Sequence, residues 1–438
     1  MPTKKALRRP AELSDRWPTL SHQERAKAFR ELHTGQRADF FLTLNSHDQR
    51  DLLLSLPEDQ RHVWIRFLPP DDAADLIQEC EEAERDHLLY LIDDPTRREV
   101  CALMAYKEDK AGGLMNPRFA RLRPEATVDE AISYLRQQAG SVETIYYAYV
   151  LDKEQHLLGV LSLRELFSAD PKKLVHELMH SEVISVSDQA DQKEVAHVVR
   201  DSRLLAVPVV DSERRMVGIV TVDDVVDVVE EEAARDIQKI GGAEALDGPY
   251  LHTSLVELVR KRAGWLAILF IGEMFTATAM GFFENEIAQA VVLALFLPLI
   301  ISSGGNSGSQ ATTLIIQAMA LGDVRLRDWF RVVRRELFAG VALGAILGAI
   351  GLLRIFAWQT LFHTYGEHTP ILAVTIACSL VGVVTFGTIA GSMLPFVLRS
   401  LRLNPASASA PFVATLVDVT GLVIYFTIAR IIMLRPPA

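Results

Sequence analysis

The chain has 438 residues, 49% of them hydrophobic, with 56 acidic against 45 basic side chains and a net charge of −11. This acidic balance excludes a nucleic-acid partner gripped by clustered Lys and Arg. The three scattered cysteines, Cys80, Cys101 and Cys378, exclude a disulfide framework and a CxxC metal site.

The charge is divided along the chain. Residues 1–250 hold 47 acidic and 32 basic side chains, a net of −15, whereas residues 251–438 hold 9 and 13, a net of +4. A charged, water-soluble part thus precedes a membrane-like part. Residues 1–10 are basic with no apolar stretch behind them, which is not the pattern of a secretory signal.

Residues 19–108 are helical in period, with apolar patches split by Pro57, Pro69-Pro70 and Pro95. Stacked short helices of a helical-repeat domain are expected, spanning 1–112. Asp71 and Asp75 follow Pro69-Pro70 at i and i+4 and share one face at a helix start. Acids that complement the helix dipole are the default reading of such an isolated pair.

An imperfect repeat lies between Gly113 and Glu232. Leu114-Met115-Asn116 matches Leu178-Met179-His180 at an offset of 64, and the run around Gly159 matches that around Gly218 at an offset of 59. Each unit reads helix, strand, strand, helix. The pattern resembles a tandem pair of CBS modules, 113–176 and 177–234. That resemblance implies an α/β unit that regulates an attached transporter or enzyme, often by binding adenine nucleotides such as ATP, or metal.

Asp223, Asp224, Asp227, Glu230, Glu231, Glu232 and Asp236 then crowd into fourteen positions of an expected helix, with Asp224, Asp227 and Glu231 on one stripe. Like charges at these spacings repel, and a divalent cation would relieve them. A solvated helix leading into a linker is the plainer alternative.

Five apolar segments follow, approximately 265–283, 287–320, 337–358, 371–398 and 406–434, each long enough for ~30 Å of hydrocarbon. Arg260, Lys261 and Arg262 precede the first. Arg325, Arg327, Arg331, Arg334 and Arg335 separate the second from the third, and Arg399 and Arg402 the fourth from the fifth. The other two loops carry no Lys or Arg. The expected topology is a multi-pass protein of the inner (plasma) membrane with a cytoplasmic N-terminus and an external C-terminus.

The second segment contains Pro298 to Gln310, with three glycines, four serines, Asn306 and Gln310. The expectation is an irregular polar backbone at Gly304, Gly305 and Asn306, satisfied by water and a hydrated ion. The alternative is a small-residue packing seam. The fifth segment holds Asp418, a carboxylate that costs roughly 2.5–3.5 kcal/mol at membrane depth. Ala414 or Thr415 shares its helical face and leaves room for a bulky hydrated ion. Mg²⁺ is usually held by one or two carboxylates with several waters retained. A two-fold homodimer would supply the second carboxylate. Glu273, in the first segment, is read as a partner for Arg354 or a protonated interface residue ahead of a second pore acid.

Four stretches together resemble the MgtE family of magnesium channels: YKEDKAGGLM at 106–115, GIVTVDDVVD at 218–227, GGNSGSQ at 304–310 and PFVATLVDVTG at 411–421. The resemblance implies a homodimer embedded in membrane lipid, with a helical N-terminal domain, two CBS modules, a connecting plug helix (235–262) and a five-helix transmembrane domain (263–438). It implies Mg²⁺ passage beside Asp418, with other divalent cations left open, and closure when cytoplasmic Mg²⁺ binds between acidic domains. Sensor positions carry over to Asp71, Asp75, Asp191, Asp224, Asp227, Glu232 and Asp236.

Lys193, Arg203 and Arg235 depart from that acidic pattern, and Ala410 stands before Pro411 where Asn is common, so weaker Mg²⁺ gating is expected. An ion-coupled carrier is the competing class; the absence of an inverted repeat disfavours it. No P-loop motif supports a nucleotide-driven pump, and an aspartyl protease would need a second carboxylate beside Asp418.

Overall fold

The structure, a computed structural model, describes residues 10–246, 250, 253–365 and 369–433. The basic N-terminal stretch up to residue 9, residues 247–249 and 251–252 of the expected connecting helix, residues 366–368 of the third-to-fourth loop, and residue 434 onward lie outside the described residues. The chain divides into two compact units, Met1–Glu232 and Ala233–Ala438.

The first unit opens with eight short helices: α1 (Pro10–Arg16), α2 (His22–Glu31), α3 (Thr34–Leu42), α4 (Ser46–Ser55), α5 (Glu58–Ile65), α6 (Pro70–Gln78), α7 (Glu82–Leu91) and α8 (Asp94–Leu103). Their starts are set by side chains that satisfy orphan amides. Asn45 accepts from Asp48 N at 2.8 Å, and Asp93 accepts from Thr96 N at 3.3 Å. Pro70 opens α6, where a missing N–H is harmless. Trp17, Phe29, Phe40, Phe41 and Trp64 form the aromatic centre of this stack.

Two three-stranded sheets follow. α9 (Ala111–Leu114) packs against the second of them, whereas the first, formed by β1 (Arg121–Leu122), β2 (Tyr147–Leu151) and β3 (Leu157–Ser162), has α10 (Val128–Gln138), α11 (Leu163–Ser168) and α12 (Val175–Leu178) around it. β4 (Val186–Ser187), β5 (Ala206–Val210) and β6 (Met216–Thr221) form the second, with α13 (Gln192–Ser202) and α14 (Val222–Ile240). In each, a parallel pair is followed by an antiparallel one.

The repeat has a structural cause. Asn116 bridges to Ile219 of the second module's β6, and His180 bridges to Val160 of the first module's β3. Each module is therefore sealed by the other's leading segment. A Cβ on Gly218 would lie 2.8 Å from Met115 Cγ, and one on Gly159 would lie 2.7 Å from Met179 Sδ. Both glycines are forced by the same close approach.

The connecting helix has other bounds than the expected 235–262. α14 runs on from the second CBS module to Ile240, where Gly242, at φ +73°, ends it as helix-terminating glycines do. The next helix, α15 (Leu255–Phe282), continues into the first span.

The second unit holds α15, α16 (Glu284–Gln289), α17 (Leu297–Ala320), α18 (Trp329–Phe362), α19 (Thr369–Ser400) and α20 (Ala410–Ile432). Five stretches are long and apolar enough to cross a membrane: Leu255–Phe282, Val291–Ala320, Leu326–Phe362, Thr369–Ser400 and Ala410–Ile432. Small residues let the helices approach closely. Gly344 of α18 faces Val381 and Gly348 faces Ala377 on α19, while Gly308 of α17 faces the carbonyl of Gly387.

Candidate ion path and acidic cluster

Asp418 sits two turns into α20, whose start is fixed by Ser409: its hydroxyl accepts from Phe412 N at 3.3 Å and from Trp265 Nε1 at 3.1 Å. The carboxylate is partly buried against α17, where a methyl placed on Gly305 would lie 3.8 Å from Asp418 Oδ1 and 3.4 Å from Ala414 Cβ. Gly305 and Ala414 thus keep the space beside the carboxylate open. Thr415 donates back to Pro411 O at 3.1 Å, and its methyl packs on Gly272 of α15. Among the described residues, Asp418 has no hydrogen-bond or ion-pair partner.

The expected irregular backbone at Gly304, Gly305 and Asn306 is not found. α17 is helical through all of them, and the break from regular α-helix lies upstream, in the 3-10 turn Val291–Phe296. Gly304 is buried against Val383 and Val417, so it serves close packing, as does Gly308. The glycines make the packing seam, which removes any need for freed carbonyls. The polar side chains occupy another face. Ser302, Asn306, Gln310, Thr313 and Gln317 are exposed along α17 at helical spacing, and Asn306 donates only weakly, to Ser302 Oγ at 3.4 Å.

Glu273 is not paired with Arg354, whose guanidinium lies over the rings of Phe296 and Trp358 at 5.6 and 5.3 Å. Instead Glu273 follows Gly272, which packs on Thr415, three residues before Asp418. Sequence reading found nothing that placed these two acids near each other; only the packing of α15 on α20 does so.

In the first unit, carboxylates from three elements crowd together: Asp71, Asp72 and Asp75 on α6, Glu143 before β2, and Asp223, Asp224 and Asp227 on α14. Burial, then the neighbouring Asp224, Asp72 and Glu143, pushes Asp71 well above the usual carboxylate range. Burial followed by Asp72, Glu108 and Asp224 does the same to Asp75. Burial raises Asp72 to about 6, reinforced by Glu143, Asp223 and Asp227. It raises Asp224 to about 7, although Thr221 N and Oγ1 donate to it at 3.0 and 2.6 Å.

Asp227 and Glu143 are raised for the same reason, burial first. A single amide eases this repulsion, since Asn116 Nδ2 donates to Asp71 at 3.0 Å and to Glu143 at 2.8 Å. Among the described residues, no three His, Cys, Asp or Glu side chains are arranged to hold a metal ion. The acids adjoin without converging.

The remaining acidic candidates have protein partners. Lys193 Nζ lies 2.7 Å from Glu232, which also accepts from Gln192 at 2.8 Å. Lys110 Nζ lies 3.4 Å from Asp191, the N-cap of α13. Asp236 accepts from Asn404 Nδ2 at 3.0 Å. Glu231 lies on the exposed side of α14. Asp72 and Glu143 carry no sequence signal of their own, and Asn116 shows in the sequence only as part of the internal repeat; the three lie far apart in the chain.

Family comparisons agree with this architecture. The sequence matches the MgtE model, described as a divalent cation transporter, over residues 297–428, the MgtE intracellular N domain over 8–109, and the CBS domain over 111–172 and 175–231. It is 40% identical to the magnesium transporter MgtE of Thermus thermophilus across 97% of this chain and 93% of that one. It is 32% identical to that of Enterococcus faecalis, across 95% and 96%. A crystal structure of the cytosolic domain of the Mg²⁺ channel MgtE in complex with ATP is 41% identical, with a TM-score of 0.48, covering 50% of this chain and 90% of that one. The chain belongs to the MgtE family of magnesium transporters, which are membrane proteins and not enzymes.

Proposed function

We propose that the protein is a Mg²⁺ channel formed by two copies of the chain, with Asp418 of each copy at the two-fold axis. The observation that carries this reading is a carboxylate within an apolar span, beside Gly305 and Ala414 and without a partner among the described residues. Such a group needs a counter-charge, and a hydrated divalent cation passing between two of them provides one. The exposed polar stripe of α17, which includes Asn306, is costly against lipid and fits a water-lined face covered by a second copy. In this reading the N-terminal unit is cytoplasmic, the C-terminus is external, and the membrane potential of the plasma membrane drives Mg²⁺ inward.

The same reading assigns gating to the acidic cluster. At low Mg²⁺, the repulsion among Asp71, Asp72, Asp75, Glu143, Asp224 and Asp227 keeps their elements loosely held. Mg²⁺ neutralises them and closes the pore. Lys193 on Glu232 and Lys110 on Asp191 already supply positive charge, so closure requires more Mg²⁺ than in an all-acidic sensor. The CBS pair is assigned an adenine nucleotide such as ATP as a further ligand, on the strength of its domain type.

Planar-bilayer recording tests the proposal. Unitary Mg²⁺ currents are expected, with open probability falling as Mg²⁺ rises on the side of the N-terminal unit. Saturating flux that requires a Na⁺ or H⁺ gradient, with no unitary events, would identify a carrier instead.

A further inference from the structure

Three contacts fix how α15 lies along α20. Near its start, the Trp265 indole donates to Ser409 Oγ at 3.1 Å and its ring stands 6.2 Å from that of Phe412. Midway, Gly272 meets the Thr415 methyl so closely that a Cβ there would stand 2.7 Å from it. Just past its end, Phe283 stacks on Phe426 with centroids 5.1 Å apart.

The two helices therefore run parallel with matched register. Glu273 is eight residues beyond Trp265, about 12 Å of helix rise, and Asp418 is six to nine residues beyond Phe412 and Ser409, about 9 to 14 Å. The two acids lie at one depth. Glu273 follows directly on Gly272, the point of closest approach. It is exposed in the single chain, and among the described residues it has no ion-pair partner, since Arg354 is engaged with Phe296 and Trp358.

We propose that Glu273 is a second carboxylate of the ion path, held level with Asp418 by the parallel packing of α15 on α20, and that it favours divalent over monovalent cations. The proposal rests on the channel reading above. Two carboxylates per chain double the fixed negative charge around the permeating ion, and a doubly charged ion gains more from it than Na⁺ or K⁺ does.

The test compares Mg²⁺ uptake in liposomes for the full-length wild type, Glu273→Gln, Glu273→Asp and Asp418→Asn, each checked for folding by thermal unfolding in detergent. Glu273→Gln is expected to raise the half-saturating Mg²⁺ concentration about fivefold, the scale of one screened charge pair. It is also expected to admit measurable Na⁺, with Glu273→Asp intermediate. If Glu273→Gln folds and matches the wild type in both respects while Asp418→Asn is inactive, Glu273 is an interface acid, the proposal fails and the channel reading stands. If Asp418→Asn retains full uptake, it is the channel reading that fails. Should Glu273→Gln not fold, Glu273→Asp decides alone: unchanged half-saturation overturns the proposal.

Discussion

The two units handle negative charge in opposite ways. The first gathers Asp71, Asp72, Asp75, Glu143, Asp224 and Asp227 until they repel one another, and moderates them with one amide, Asn116, and one hydroxyl, Thr221. The second isolates Asp418 among tightly seated glycine seams, with no hydrogen-bond or ion-pair partner among the described residues. Under the proposed function, crowding serves a sensor whose shape responds to ions, and isolation in a helical frame serves a fixed point that an ion passes.

Stiffness in the second unit can be broken most severely. Gly308→Val would drive side-chain atoms into Gly387, whose carbonyl is 2.9 Å from where a Cβ would start. Overpacking here is expected to cost about 3 kcal/mol and sharply reduce folded protein on size-exclusion chromatography. Gly281→Ala, with open space around it, should change nothing.

Softness in the first unit is sharpened by pH. Asp224, raised from 3.8 to about 7, and Asp72, raised to about 6, favour the protonated folded state. Their stabilising contribution is fully present below about pH 4 and lost as pH rises through 6 to 7. Without Mg²⁺, the unfolding temperature of the cytosolic transition should fall by about 5 °C between pH 5 and pH 8. Added Mg²⁺ should recover most of that at pH 8 and little at pH 5. An unchanged transition would remove the repulsion argument.

Asn116→Ala should destabilise the same transition by about 1.5 kcal/mol at pH 8, because two carboxylates lose their shared donor. The loss should shrink at pH 5. The smallest effect is expected at Lys193→Ala. A partly exposed pair is worth about 0.5 kcal/mol, so removing the Lys193 charge from beside Glu232 should change the Mg²⁺ needed for protection from proteolysis about two- to threefold, towards lower concentrations.

Much of the architecture is legible in the sequence because it follows from local periodicity. The fourth span, expected at 371–398, is Thr369–Ser400, and the fifth begins four residues after the expected 406, behind the Ser409 cap. The third was underestimated at 337–358, because Arg331, Arg334, Arg335 and Glu336 end the apolar run while the helix continues from Trp329. At 304–310 the sequence admits both a broken polar backbone and a packing seam, and the structure shows the seam. Its glycines are held helical by α19 and α20, a tertiary cause that composition does not carry. For the same reason the sequence pointed to Asp418 but not to the level of Glu273, which depends on how α15 registers against α20. Asp72, Glu143 and Asn116 become neighbours only once α6, α14 and the segment before β2 are packed.

The most direct test of the central claim is Mg²⁺ flux into liposomes at equal protein density for wild type, Asp418→Glu and Asp418→Asn. Flux should fall at least tenfold in Asp418→Asn and be largely kept in Asp418→Glu, with all three equally folded. Wild-type flux in Asp418→Asn would show that the ion does not pass beside this carboxylate and would contradict the account.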